Sequence, residues 1–312
     1  MSKPYLTVND QIDHLVNHKG LIVNDEEYAK RKLSEITYFS LIGGYKSPFI
    51  NPETRVYKDN STFEDILSLY QFDKALRSIT FDALSTVEEK LHQQISDAFC
   101  SRFGENQNAF LDSNNYSQNP KDAQTVNKLI TRHLHNAVTD RDHEYINHQR
   151  TKHQNVPLWV AIKVLTFGNI SRMYSVLQFH QRQHIAKGFE NISERKLART
   201  LDCMTYFRNV CAHGERLYNF KLNQRTFPDT VLHQKLGIPM KGTEYSLGKK
   251  DYFGLVIALR YLMPRDEFLI YKRKLRSTVD SFIRKNSRIT KDELLSMMGF
   301  PSNWESLTRY RM

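Results

Sequence analysis

The sequence has few of the residues that interrupt helices. Glycine and proline together account for 21 of its 312 residues, about 7%, where roughly 12% is usual. Proteins built from many short strands need frequent turns, so this shortage argues against a sandwich or a barrel and favours long helices. No segment shows a convincing alternation of apolar and polar residues, which is the pattern of a half-buried strand. We therefore predict an all-α protein.

Cysteine and long apolar runs are also scarce. The three cysteines cannot supply a disulfide framework, because Cys203 and Cys211 lie about 12 Å apart along one predicted helix and only Cys100 remains. The longest apolar stretch, residues 252–263, contains Arg260 and falls short of the roughly 20 residues that cross a bilayer. The N-terminus lacks the apolar core of a signal peptide. We expect a cytoplasmic protein without a membrane segment.

Motifs for nucleotide or covalent chemistry are missing. The chain contains no GxxxxGKS/T, GxGxxG, GxSxG or CxxC pattern, so we expect no cofactor. Five histidines fall within residues 132–153, but the spacing of His143 and His148 is one residue longer than in HExxH. Five residues turn a helix by about 140° beyond one full turn, so the two rings leave different faces. We expect a solvated helix and no metal site.

Positive charge is plentiful and unevenly distributed. Lys and Arg number 45 against 34 Asp and Glu, which gives a net charge of +11. Residues 249–312 hold 14 of these basic residues and seven acidic ones, so a fifth of the chain carries +7. A balance this basic suggests a polyanionic partner, nucleic acid before a membrane surface.

The hydrophobic pattern divides the chain into three regions. Residues 1–60 form an N-terminal helical region, residues 61–220 a helical bundle, and residues 221–312 a basic C-terminal helical region. The bundle begins with an amphipathic helix, or two nearly collinear helices, of about forty residues from Ser61 or Thr62 to Gly104. Other predicted helices are those capped by Thr7 and Asn24, a polar helix over 121–150, apolar helices from Pro157 that break at Gly168, a helix from Ser193 to Gly214, and a pair over 250–262 and 264–285.

One segment combines an anchored helix with groups suited to phosphate chemistry. Arg208 and His213 form an R-x4-H pair near the end of the Ser193 helix, and Gly214 is well placed to close that helix. The helix dipole there stabilises an imidazolium. Arg, His and the neighbouring Asn209 and Arg216, without a carboxylate triad, suit a phosphodiester. The alternative is a plain helix end beside a surface arginine, since R-x4-H is a common pattern.

These residues carry a resemblance to a known family. RNVCAHGERLYN (208–219) resembles the signature of the Abi-like (AbiD/AbiF) abortive-infection proteins of bacteria, which belong to the HEPN superfamily. Segments near residues 3–49, 63–99 and 156–177 resemble the same family in the same order. Gly214 departs from the Asn or His that often follows the histidine in relatives. The tail beyond about residue 225 carries no family motif.

The resemblance implies both a fold and an activity. It implies a HEPN-type bundle with N- and C-terminal extensions, metal-independent endoribonuclease activity that leaves a 2′,3′-cyclic phosphate, and a homodimer. Arg208 and His213 would be the catalytic pair and Asn209 the polar residue of the motif. The function would be phage defence, as a toxin restrained by an RNA antitoxin. The alternatives are a non-catalytic module that holds a structured non-coding RNA, and a protein-interaction scaffold.

The basic C-terminal region suggests where RNA binds. Its cations could contact phosphates and Tyr271 could stack on an unpaired base, although such charge runs are often only a solvated helix face. The predicted RNA-binding residues are Arg216, Tyr271, Lys272, Arg273, Lys274, Arg276, Arg284, Lys285 and Arg288.

Overall fold

The protein is predominantly helical. The computed structural model describes residues 5–310, with 66% of residues in helices and 3% in strands. The prediction of an all-α protein is confirmed. The first helices are α1 (Val8–Asp13), α2 (Glu26–Glu35), α3 (Phe63–Phe103), α4 (Gln107–Leu111), α5 (Ala123–Lys128), α6 (His135–Thr139) and α7 (Glu144–His153).

The second half of the chain adds eight helices and a small hairpin among the described residues. The helices are α8 (Leu158–Ala161), α9 (Phe167–Val176), α10 (Phe179–Lys187), α11 (Glu194–Ala212), α12 (Val231–Lys235), α13 (Tyr252–Leu262), α14 (Arg265–Lys285) and α15 (Lys291–Met297). Short π-helical segments are His14–His18, Phe39–Gly43 and Leu129–Leu134, and 3-10 segments are Ser47–Phe49, Ser113–Asn115, Ile162–Val164 and Trp304–Thr308. Strands β1 (Met240–Lys241) and β2 (Glu244–Tyr245) pair antiparallel.

Helix α3 is the axis of the fold. It begins with a capping box in which the Thr62 hydroxyl accepts the Asp65 N–H at 3.1 Å and the Asp65 carboxylate accepts the Thr62 N–H at 2.9 Å. It ends at Gly104, whose φ of +82° is a conformation that glycine adopts without strain. Its 41 residues extend about 60 Å. The predicted long helix is confirmed as a single element.

Other boundaries differ from the sequence prediction for local reasons. The predicted 121–150 helix is interrupted, because the Asp140 side chain accepts the N–H groups of Asp142 and His143 at 3.0 and 2.8 Å and forms a turn. The break predicted at Gly168 is wrong: α9 starts at its cap Thr166, and Gly168 lies in the first turn. A Cβ there would lie 3.2 Å from the Thr205 methyl group, so glycine lets α9 approach α11 closely.

Helices from the second half of the chain surround α3. Helices α8, α9, α10, α11, α13 and α14 all pack on it. Helix α14 runs antiparallel to α3, since Phe72 meets Phe282 at 5.1 Å between ring centroids while Thr80, nearer the middle of α3, reaches Tyr271 through Tyr252. The predicted helix pair near 250–262 and 264–285 is confirmed. The division into three regions remains a prediction.

The longest apolar stretch is a core helix. Every residue of α13 is buried, including Arg260, whose guanidinium lies 3.4 Å from the Glu190 carboxylate. Within residues 5–310, no helix combines the length and the apolar character that a membrane crossing requires.

Candidate active site

The R-x4-H segment lies on a firmly held helix. Helix α11 is capped by Ser193, whose hydroxyl accepts the Lys196 N–H at 3.3 Å. Leu197, Leu201 and Met204 are buried along one side. This burial fixes the helix against α3 and α9. The carboxyl end of α11 therefore has a defined position in the fold.

His213 is the residue that closes α11. Its N–H donates to the Asn209 carbonyl at 2.9 Å, and Gly214 follows with φ of +67°. The N–H groups of Gly214 and Glu215 then donate to the carbonyls of Cys211 and Val210 at 3.3 and 3.0 Å. This is the Schellman arrangement, which uses carbonyls that a helix end would otherwise leave unpaired. The prediction that Gly214 terminates the helix is confirmed.

The side chains at this helix end face solvent. His213, Asn209 and Arg216 are exposed. The partial negative charge at a helix carboxyl end favours cations beside it. An exposed imidazole in this position is accessible to a ligand that approaches from solution.

Arg208 lies deeper and is oriented by α3. Its guanidinium carbon stands 5.5 Å from the centroid of the Phe81 ring, a cation–π distance. Burial raises the pKa of the neighbouring Glu88 carboxyl, and the positive charge of Arg208 opposes that rise. The Nε atom of Arg208 is buried without a hydrogen-bond partner. The guanidinium is thus held from one side and keeps donors for an added group.

Arg208 and His213 lie on different sides of α11, because side chains five residues apart leave a helix about 140° apart. Arg208 faces Phe81 of α3, whereas His213 is exposed at the helix end. Cys211 between them is not a nucleophile at neutral pH, because burial raises the pKa of its thiol to about 12. The useful groups of this segment are therefore the imidazole, the guanidinium and the Asn209 amide.

A buried polar cluster holds the turn that follows His213. The Asp73 carboxylate accepts the N–H groups of Leu217, at 3.0 and 3.2 Å, and of Tyr218, at 2.6 Å. It also accepts the Tyr45 hydroxyl at 2.7 Å and pairs with Arg77 at 2.5 Å.

Arg77 extends this cluster to the start of the turn. Its guanidinium donates to the Glu215 carbonyl at 3.0 Å and to the Tyr45 hydroxyl at 3.1 Å. Arg216, predicted to bind RNA, donates to the Gly44 carbonyl at 2.6 Å. The turn is therefore attached to α3 and to the segment around Gly44 and Tyr45.

Sequence reasoning missed these residues, although a signal for two of them exists. The apolar stripe of α3 passes from Tyr70 to Leu84 at three- and four-residue steps through Asp73, Arg77 and Thr80. Charged residues on the buried stripe of a helix are unusual unless they are paired. Tyr45 gives no comparable signal, because its role depends on a contact 28 residues along the chain.

The predicted RNA-binding residues of α14 fall into two groups. Arg273, Lys274, Arg284 and Lys285 are exposed, and the described residues form no ion pair with them. Lys285 also lines a groove of about 310 Å³ between α3 and α14. For these four residues the phosphate-binding surface remains a prediction, and we call them the α14 basic face.

Other residues of that prediction are engaged elsewhere. Stacking of Tyr271 on a base is contradicted, because the side chain is 3% exposed and its hydroxyl bonds with that of Tyr252 at 2.8 Å. Lys272 is also withdrawn, since its ammonium donates to the Glu305 carbonyl and to the Thr308 hydroxyl. The stripe of α14 that includes Tyr271 faces α3 and α13, which the charge of neighbouring residues did not indicate.

Two further arginines are exposed but partly used. Arg276 lies 3.7 Å from Asp280 and 3.4 Å from Glu305. Arg288 donates to the Asn60 carbonyl at 2.6 Å. Both can still meet a phosphate, with part of their charge already balanced or their donors occupied.

The histidine-rich segment gives no metal site among residues 5–310. His143 caps α7 and lies 3.0 Å from the Asp140 carboxylate, while His148 faces the ring of His153 at 5.7 Å. The described residues contain no group of three or more His, Cys, Asp or Glu side chains that could hold a metal ion.

A family comparison covers the long helix and the R-x4-H helix together. A sequence model described as "Abi-like protein" matches residues 31–219, more than half of the chain. The chain belongs to the Abi-like family. No curated protein and no solved structure matches it. Membership of the Abi-like family suggests a role in abortive infection, a form of defence against phage.

The Abi-like match includes the whole candidate site. Tyr45, Asp73, Arg77, Arg208 and His213 all lie within the matched residues. The match starts later than the resemblance noted from the sequence, and it ends before the small hairpin and α13. The α14 basic face is thus an addition outside the matched Abi-like region.

Proposed function

We propose that this Abi-like protein is a metal-independent endoribonuclease of the HEPN type that acts in phage defence. The observation that carries the proposal is the exposed His213 imidazole at the closed end of α11, five residues after the oriented guanidinium of Arg208. Together they offer a proton-exchanging group and a fixed positive charge. RNA cleavage through the 2′-hydroxyl needs a proton acceptor, a proton donor and positive charge on the phosphoryl group.

The reaction uses a nucleophile that the RNA itself provides. The 2′-oxygen attacks the adjacent phosphorus while its proton passes to a base, and the bond from phosphorus to the 5′-oxygen breaks. The leaving oxygen takes a proton from an acid, so the products are a 2′,3′-cyclic phosphate and a 5′-hydroxyl end. His213 exchanges these protons, and Arg208 stabilises the extra negative charge on the phosphoryl oxygens.

Two proton transfers in one step favour a site built from two chains. One imidazole cannot accept and donate a proton at the same moment, whereas a two-fold dimer brings two His213 and two Arg208 into one cleft. We expect light scattering to give a homodimer at micromolar concentration. A strict monomer with full activity would overturn the composite site.

A second candidate function rests on the α14 basic face. Four exposed cations on one helix suit a phosphate backbone whether or not the RNA is cut. The protein would then hold a structured non-coding RNA without catalysis. The two functions can coexist, because a toxic nuclease must be restrained and an RNA antitoxin would match this charge.

Cleavage of defined RNA by matched variants tests the proposal. Purified wild-type protein and the Arg208→Ala and His213→Ala variants are incubated with labelled RNA in the presence of EDTA. We expect wild-type cleavage with cyclic phosphate ends, no cleavage of an all-deoxy oligonucleotide, and loss of activity in both variants. His153→Ala is the control, since His153 is also exposed in the last turn of a helix that a left-handed residue, Gln154, terminates.

The outcomes separate the two candidate functions. Cleavage that survives His213→Ala would contradict the catalytic assignment. RNA binding without cleavage by the wild-type protein would favour the holding function. Cleavage that EDTA abolishes would contradict the metal-independent mechanism.

A further inference from the structure

The position of His213 depends on the chain that follows it. Helix ends fray, and the residue that closes a helix is among the first to lose its conformation. A group that transfers protons must be held within a few tenths of an ångström of its working position. The residues that hold the turn after His213 therefore bear directly on the proposed chemistry, and the polar cluster of Tyr45, Asp73 and Arg77 contacts that turn.

The cluster forms hydrogen bonds with backbone atoms at both ends of the turn. Arg77 donates to the Glu215 carbonyl, and Asp73 accepts the N–H groups of Leu217 and Tyr218. A cation thus meets the carbonyl and an anion meets the two amides, and hydrogen bonds to charged groups are roughly twice as strong as neutral ones. Because these contacts are to backbone atoms, they fix the backbone conformation of the turn independently of the side chains that the turn carries.

Burial of the cluster argues for a role in position rather than in stability. Asp73 is 0% and Arg77 7% exposed, on a helix stripe that is otherwise apolar. Desolvation of two charges offsets most of their attraction, so an apolar pair of similar size would stabilise the fold at least as well. Apolar side chains could not bind the amides and the carbonyl of the turn.

Tyr45 connects the cluster to the N-terminal region. Its hydroxyl donates to Asp73 and accepts from Arg77, and its ring stacks on that of Tyr218 at 6.2 Å between centroids. The segment before it is attached to the same turn, because Arg216 donates to the Gly44 carbonyl. Three separate parts of the chain therefore meet at the turn.

We propose that Tyr45, Asp73 and Arg77 are positioning residues that fix His213 for proton transfer, an inference that rests on the proposed role of His213. Asp73 and Arg77 hold residues 215–218, and the Schellman bonds of Gly214 and Glu215 transmit that constraint to the last turn of α11. None of the three needs to touch RNA.

Hydrogen exchange and the NMR signal of His213 test this without RNA. Asp73→Asn keeps the size of the side chain but places an amide donor against the N–H groups of the turn. We expect exchange of the Leu217 and Tyr218 amides to accelerate at least tenfold and the His213 ring resonance to shift or broaden. In a cleavage assay, kcat should fall while KM stays near the wild-type value.

Tyr45→Phe provides a milder variant and Tyr271→Phe its matched control. Each removes one hydroxyl from a buried tyrosine that bonds with a residue of α3 or α13, but only Tyr45 belongs to the cluster. We expect Tyr45→Phe to produce the same changes several-fold more weakly than Asp73→Asn. Tyr271→Phe should leave the exchange of residues 213–218 and the His213 signal as in the wild type. If Asp73→Asn does not fold, Tyr45→Phe against Tyr271→Phe decides the question.

The readouts distinguish this inference from the proposed function. The positioning role would be overturned by unchanged amide exchange and an unchanged His213 signal in folded Asp73→Asn, even if His213→Ala abolishes cleavage. Where Asp73→Asn does not fold, the same result in Tyr45→Phe would overturn it. Changed exchange and a changed His213 signal, in a protein whose wild type cuts no RNA, would support the positioning of His213 and contradict the nuclease function.

Discussion

The cluster beside α11 and the α14 basic face use charge in opposite ways. Asp73 and Arg77 are buried, paired and directed at particular backbone atoms of one turn. The four cations of α14 are exposed. Buried charges depend on distances of a few tenths of an ångström, whereas exposed charges act through summed potential and tolerate displacement. We therefore expect single substitutions in the buried cluster to have large effects, and substitutions in the α14 basic face to have large effects only in combination.

The largest expected effect is on the rate of cleavage. Arg208→Ala and His213→Ala should each lower kcat by at least about 100-fold, the usual size of a lost acid–base or charge-stabilising group. Both should also remove toxicity in cells. Neutralising the whole α14 basic face with glutamine should leave kcat at saturating RNA unchanged and raise KM. Single-turnover and steady-state assays measure kcat and KM. An equal loss of kcat in the α14 variant would contradict the separation of catalytic residues from RNA-binding residues.

The next effect is on stability. Asp73→Ala leaves the buried Arg77 without its partner, and such a change lowers the free energy of unfolding by about 3–5 kcal/mol. Lys274→Ala on the α14 basic face should change it by no more than about 0.5 kcal/mol. Urea titration followed by circular dichroism gives both values. Similar losses for the two variants would contradict the contrast between buried and exposed charge.

RNA affinity should respond to the α14 basic face through its number of charges. Each phosphate contact removed flattens the plot of log affinity against log salt by about 0.7 for single-stranded RNA. Replacing all four cations with glutamine should therefore flatten it by up to about 3 units and weaken binding. An unchanged slope would show that the α14 basic face is a solvated surface that does not contact RNA phosphates. The control replaces four exposed lysines outside α14, namely Lys121, Lys152, Lys187 and Lys241.

The smallest effect is expected at Tyr271. Tyr271→Phe removes a buried hydrogen bond with Tyr252, which contributes about 0.5–1.5 kcal/mol to the free energy of unfolding. RNA affinity should not change, because the ring is enclosed between α3, α13 and α14. A clear loss of RNA affinity in the folded variant would show that Tyr271 reaches the RNA after all.

The sequence predicted the bounds of those helices whose first and last residues include a capping side chain and a terminating glycine. Helix α3 has both a capping box at Thr62 and a glycine at its end, and α11 has Ser193 and Gly214, so their bounds follow from neighbouring residues. Prediction was wrong where a side chain diverted the backbone, as Asp140 does between α6 and α7. It also misplaced the break near Gly168, where glycine serves a close approach to Thr205 and not a helix end.

The candidate site likewise has a part that local sequence predicted and a part that depends on contacts between distant residues. Sequence alone predicted the end of α11 and put forward Arg208, Asn209 and His213 as candidates, because periodicity, capping and the motif are all encoded within about twenty consecutive residues. It also determined the helical class and the uneven charge. Tertiary structure decided that Asp73, Arg77 and Tyr45 hold the turn after His213, that Tyr271 is buried, and which cations of α14 face solvent. Those outcomes depend on contacts between residues far apart in the sequence, 145 positions for Asp73 and Tyr218, and the hydrophobic pattern of one helix does not specify which neighbour covers each of its faces.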